Sequence, residues 1–173
     1  MKEKRVLLFI GSFSAIAAGL IHIFIVGLGH GSILPHLLAF SIGGILQIAL
    51  GIFIWFENFI KQTYISKNIV HGGFIFMLLF SFFLPIPFVG TSEGVSVLGI
   101  GTIILQLLAI VTLFPIYMKF SKNSIQKEIY ISIGIALFSG IGAFGIGYLA
   151  EHIFPEYKSN NIGGHHGGFG HHH

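Results

Sequence analysis

The sequence predicts an all-α membrane protein, a bundle of five transmembrane helices with its N-terminus inside and its C-terminus outside. Three observations predict it. Of 173 residues, 54% are apolar and only 9% are charged, whereas a soluble domain carries about a quarter charged residues. So much Ile, Leu, Val and Phe exceeds what one soluble core of this length can bury, and lipid must cover the rest. Second, charge is absent over long stretches: the 51 residues from Val6 to Phe56 hold no Lys, Arg or Glu, and the 51 from Asn68 to Met118 hold only Glu93. Third, Lys and Arg recur at alternate connections between the apolar runs.

Spans of about 20 residues cross the hydrocarbon layer, and each charge-free stretch divides at a polar turn. Helix 1 is expected at about 6–27. It follows Lys2, Lys4 and Arg5 as the apolar part of a signal peptide would, but it is longer than such a segment and has no convincing cleavage signal, so it is expected to be retained. Helix 2 is expected at about 35–56; Pro35 suits a first turn, where its missing N–H would have had no partner. Helices 3 and 4, about 69–85 and 95–118, flank the turn-like segment Pro85–Gly94, and helix 5 is the uncharged run at about 129–150. Residues 1–158 then form the bundle, and 159–173 form a flexible Gly/His-rich extracytoplasmic tail.

The positive charges set the orientation. Lys2, Lys4 and Arg5 precede helix 1, Lys61 and Lys67 fall between helices 2 and 3, and Lys119, Lys122 and Lys127 fall between helices 4 and 5. These segments are expected in the cytoplasm of a multi-pass protein of the cell membrane. The turns at 28–34 and 86–94 carry no Lys or Arg and face outward. The net charge of +3 comes from scattered lysines rather than a run, which argues against nucleic acid as a partner. Without cysteine there is no disulfide, thiolate metal site or redox thiol.

Helices in lipid gain little from hydrophobic contact with each other, so small residues and buried polar groups must hold them together. Helix 1 offers Gly11, Ala15 and Gly19, and helix 5 offers Ser132, Ala136 and Gly140, then Ser139, Ala143 and Gly147. These stripes read as packing faces, either within the bundle or toward another subunit. Gln47 and Gln106 end two Ile-Leu-Gln elements 59 residues apart, a faint repeat. Each lies near mid-membrane, where an unpaired amide is expensive, and is expected to point into the bundle.

Nine of the ten histidines collect on the outer side. His22 lies near the outer end of helix 1, His30 in the first outer turn, and His36 at the start of helix 2; Glu93, Glu151, His152 and Glu156 share that surface. The tail adds His165, His166, His171, His172 and His173. His71, at the start of helix 3, alone falls on the cytoplasmic side. Imidazole is the common nitrogen ligand of copper, zinc and nickel, and carboxylate can complete such a site. His22 and His36 lie on small, polar stripes and face the bundle, where each is a ligand or bonds Gln47 or a backbone carbonyl. His30 and Glu93 are the next candidate ligands, then Glu151 or His152. A glycine-rich tail wraps readily around an ion, and imidazole without thiolate suits Cu(II) best, with zinc second.

Other chemistries find less support. A b-type haem needs two histidines at equal depth, and His22 and His36 differ in depth. Transport would call for carboxylates at mid-depth, and there are none. With aspartate absent and glutamates peripheral, no Ser-His-Asp set, phosphate loop or carboxylate pair can be assembled, so the chain is not expected to be catalytic alone.

The stretch Ala17-Ala18-Gly19-Leu20-Ile21-His22, followed by His30, Leu46-Gln47 and the segment Leu84-Pro85-Ile86-Pro87 to Glu93, resembles a family of small bacterial and archaeal multi-span membrane proteins. Their first helix ends in a similar A-G-x-I-H element and some carry His-rich tails. Where their loop histidine often has an acidic neighbour, this chain has Gly29. The resemblance carries no activity with it. In character the chain is also similar to accessory subunits of archaeal copper-dependent ammonia monooxygenase. Two functions are therefore expected: capture or delivery of a transition metal on the extracytoplasmic face, or a structural role as a subunit of a larger membrane complex.

Overall fold

The computed structural model describes residues 2–27, 34–56, 60–90 and 97–157. Its elements are α1 (Lys2–Gly27), α2 (Leu34–Phe53), α3 (Ile60–Ser81), α4 (Val97–Val111), the short α5 (Phe114–Tyr117) and α6 (Ile125–Ile153), closed by a 3-10 turn at Pro155–Tyr157. No strand occurs among the described residues. Lys2–Phe24, Leu34–Phe53, Val97–Tyr117 and Ile125–Ile153 are each long and apolar enough to cross a membrane. By length and apolarity they mark a membrane protein. The side chains most open to the surroundings include Phe83, Val97 and Phe138, as lipid-facing positions should be.

The small-residue stripes pack within the bundle. α1 lies on α2 so closely that a Cβ at Gly19 would meet the Gly44 carbonyl oxygen at 2.5 Å, and one at Gly44 would meet that of Gly19 at 2.7 Å. Ser12 fastens the pair further along, donating to Gly51 O at 2.7 Å and accepting from Trp55 Nε1 at 3.2 Å. On α6, Ala136 and Ser139 sit against Gly72 and Gly73 of α3, and Gly140 against Phe76. Ser139 also donates to Ile69 O at 2.8 Å.

α3 differs most from expectation. It begins nine residues before 69 and ends at Ser81, and it is the central helix, packed on α2, α4, α5 and α6. Lys67 therefore does not lie in a connection, and His71 does not lie at a helix start. Both are fully buried midway along α3. The physical reason is that Lys67 finds partners inside: Nζ donates to Gly11 O of α1 at 3.1 Å and to Ala109 O of α4 at 3.3 Å. Charge marked a loop only on the assumption that it needs water.

The expected helix 4 is interrupted after Val111, because Pro115 has no N–H to give the Val111 carbonyl. Thr112 bonds back to Leu108 O at 2.7 Å instead, and α5 resumes with Pro115 in its first turn. Around this break, Leu8, Ile54, Tyr64, Leu113, Ile116 and Tyr117 form a tight apolar cluster, in which the Tyr64 and Tyr117 rings stack at 4.2 Å. This end of the bundle is called the tyrosine end below. α6 runs 29 residues from an N-cap at Ser124, whose hydroxyl accepts from Lys127 N–H at 3.3 Å. Its Glu128 gathers Ser121, the Asn123 amide at 2.7 Å and Tyr117 OH at 3.1 Å, tying α6 to α5.

Candidate functional site

At the opposite end, α1 finishes and α2 begins, and their histidines meet across a cavity of about 410 Å³. His22 stands on one wall and His36 on another, with Phe40, Phe74, Phe144 and Thr102 among the remaining walls. A volume of this order, mostly apolar with a few polar groups, suits a small ligand.

Side chains lean toward the N-terminus of their own helix. α1 and α2 are antiparallel neighbours, so His22 and Gln47 lean toward each other, and His22 Nδ1 lies 2.8 Å from Gln47 Oε1. An amide oxygen only accepts, so Nδ1 carries the proton and Nε2 carries the lone pair. The ring is fixed by aromatic contacts as well, 4.4 Å from the Phe74 centroid and 5.6 Å from that of Phe40. His22 is thus held in one tautomer and one orientation at the cavity wall. His36 also abuts Phe40, at 6.2 Å, and its Nε2–H donates to Pro87 O at 3.0 Å.

The segment 85–90 borders the cavity through Ile86, Pro87 and Phe88 and is held by three hydrogen bonds. His36 holds Pro87 O, Tyr148 OH holds Pro85 O, and the Glu151 carboxylate accepts from Phe88 N–H at 2.9 Å. Phe88 has φ of 67° and is buried, a left-handed conformation that costs a non-glycine residue about 1–2 kcal/mol. The three bonds and the buried ring hold it there.

Of the residues singled out in the sequence, the structure brings His22 and His36 to one cavity. Glu151 lies at its rim, engaged with the Phe88 amide, and His152 is exposed beside Tyr148 and Pro155. Neither lines the cavity. His30, Glu93, His165, His166, His171, His172 and His173 lie outside the described residues. Among the described residues no three His, Asp or Glu side chains converge as a metal cluster would. Gln47 and Gln106 are fully buried, as expected.

Lys67 and His71 escaped attention as interior groups. The signal was present: Tyr64, Lys67, Asn68, His71, Gly72 and Ile75 recur every three or four residues, one continuous face of a helix.

Fold and site together define a small helical membrane protein with a histidine-walled cavity at one end. No protein-family model, curated protein or solved structure matches this chain.

Proposed function

We propose that this protein binds a transition metal, copper in preference to zinc, through the histidine-walled cavity on the extracytoplasmic side of the membrane, for capture or delivery. The observation that carries the reading is the 2.8 Å bond from His22 Nδ1 to Gln47 Oε1. Metal-ligating histidines almost always donate their other N–H to an oxygen in this way, which fixes the tautomer and makes the ligating nitrogen more basic. His22 offers Nε2, His36 borders the same cavity, and the His-rich tail supplies further imidazoles from the sequence. The absence of cysteine leaves nitrogen and oxygen donors, for which the affinity order favours Cu(II).

The orientation follows from charge. Lys2, Lys4 and Arg5 lie at the start of α1, Lys61 at the start of α3, and Lys119, Lys122 and Lys127 around the α5–α6 connection, all at the tyrosine end. The positive-inside rule puts that end in the cytoplasm and the cavity outside. Lys67 no longer contributes to the count.

The test is metal analysis by mass spectrometry of the full chain, of a chain lacking residues 159–173, and of the His22→Leu/His36→Leu double variant, each loaded with copper in membranes. Copper retained without the tail and lost in the double variant is the expected result. Copper that disappears with the tail alone sinks the cavity site.

A second reading, attachment to another membrane subunit, is favoured by one surface. Gly134, Gly142 and Gly145 of α6 have no atom within 4 Å of where a Cβ would stand, and small residues let a partner helix approach closely. A native-gel size equal to the 18.9 kDa monomer plus detergent counts against it.

A further inference from the structure

α4 and α6 both pack on α3 but make little contact with each other, and a groove of about 420 Å³ runs between them. Its floor is α3 from Tyr64 to Phe76, and its walls are Leu107 to Phe114 of α4 and α5 and Ile129 to Ala136 of α6. The floor is low because Gly72 has no side chain: a Cβ there would meet that of Ala136 at 2.4 Å. Val111, Ile129 and Ile133 stand exposed along the walls. They belong to helices long and apolar enough to span the membrane, so the groove opens to the hydrocarbon around the bundle.

Three polar side chains border the groove, and each is turned to a partner. Tyr64 OH and Ser132 Oγ bond at 2.8 Å, and the Asn68 amide nitrogen donates to Tyr64 O at 3.0 Å. What faces the groove is therefore apolar, and an apolar ligand suits it. From Tyr64 to Phe76, α3 rises about 18 Å. One leaflet's half of the hydrocarbon core is about 15 Å deep. Spread over that length, the 420 Å³ leaves a cross-section of about 23 Å². That is room for a single hydrocarbon chain and too little for a partner helix about 10–12 Å across.

Charge narrows the occupant further. Residues 118–124 join the two walls of the groove, so this connection crosses the tyrosine end and carries Lys119 and Lys122, both exposed, past it. Lys61, also exposed, precedes Tyr64 by one turn of the floor helix. The carboxylate of Glu128 at this end is engaged by Ser121, Asn123 and Tyr117. Lysines clustered at a membrane surface attract anionic lipid.

We propose that the groove holds one acyl chain of an anionic phospholipid from the leaflet on the tyrosine side, with its phosphate among Lys61, Lys119 and Lys122. The site uses neither His22 nor His36, and it stands whichever compartment the tyrosine end faces.

The experiment is native mass spectrometry of the full chain in mild detergent, titrated with phosphatidylglycerol or with phosphatidylcholine of the same chain length. One phosphatidylglycerol is expected to bind saturably, and more tightly than phosphatidylcholine. Ile133→Trp and Val111→Trp fill the groove from opposite walls and abolish this binding, whereas Phe138→Trp, at an exposed position away from the groove, preserves it. Lys119→Gln/Lys122→Gln lowers the preference for phosphatidylglycerol roughly fivefold for each lysine removed. Equal affinity for the two lipids overturns the proposal, as does phosphatidylglycerol binding unchanged in both tryptophan variants. A dimer of the chain that lipid does not dissociate, and that Ile133→Trp and Val111→Trp do, overturns it in favour of a second copy on this face.

Discussion

The carboxylate of Glu151 caps the backbone N–H of Phe88 at 2.9 Å, across 63 residues of chain. It joins the last turn of α6 to the segment that borders the cavity. Hydrogen bonds to a charged group contribute about 1.5–3 kcal/mol. Glu151→Ala is expected to destabilise by about that much and to speed hydrogen exchange at the Phe88 amide. Glu151→Gln keeps an acceptor oxygen and loses less. Equal exchange rates in Glu151→Ala and the parent would show that the other two pins suffice.

Gln47 touches His22 without reaching the cavity wall itself. If His22 is a ligand, Gln47→Leu weakens metal binding by about 10–100-fold through loss of tautomer control, while both imidazoles stay in place. Competition titration with a copper chelator measures this. Unchanged affinity in a folded Gln47→Leu protein argues that His22 serves packing alone.

Because the chain has no cysteine, single cysteines report position cleanly. Lys61→Cys, at an exposed site, should react with a maleimide in permeabilised membranes, whereas Lys67→Cys, at a fully buried one, should not until the protein is denatured. Equal labelling at both places Lys67 in a connection. In intact cells the orientation proposed above predicts that an impermeant maleimide spares Lys122→Cys.

Gly19 and Gly44 meet backbone to backbone. Gly19→Ala must push the two helices apart or strain them, and overpacking of this kind costs about 1–3 kcal/mol. Gly134→Ala, in open space, should leave the unfolding midpoint unchanged in detergent. A loss of stability for Gly134→Ala in native membranes but not in detergent would reveal a partner helix on α6.

The long apolar runs were legible because lipid demands them, and the stripes of Gly, Ala and Ser showed which faces would touch. Gln47 and the inward set of His22 followed from the same reasoning. Lys67 misled, since a charge in an apolar sequence reads as a point of contact with water. Here two main-chain carbonyls from other helices receive it, and main-chain acceptors leave no mark on a sequence. Main-chain partners likewise hid how the cavity's border is held, where His36, Tyr148 and Glu151 all bond the backbone of residues 85–88. The side chains that do the holding were visible, but the peptide groups they hold were not.

The stacked Tyr64 and Tyr117, with Leu8, Ile54, Leu113 and Ile116 around them, leave the molecule with a floor. The walls of the histidine cavity come from the other half of every helix that contributes to it. Among the described residues the molecule is thus packed solid at one end and hollow at the other, so truncating a side chain opens a new cavity at the tyrosine end and only enlarges an existing one at the histidine end.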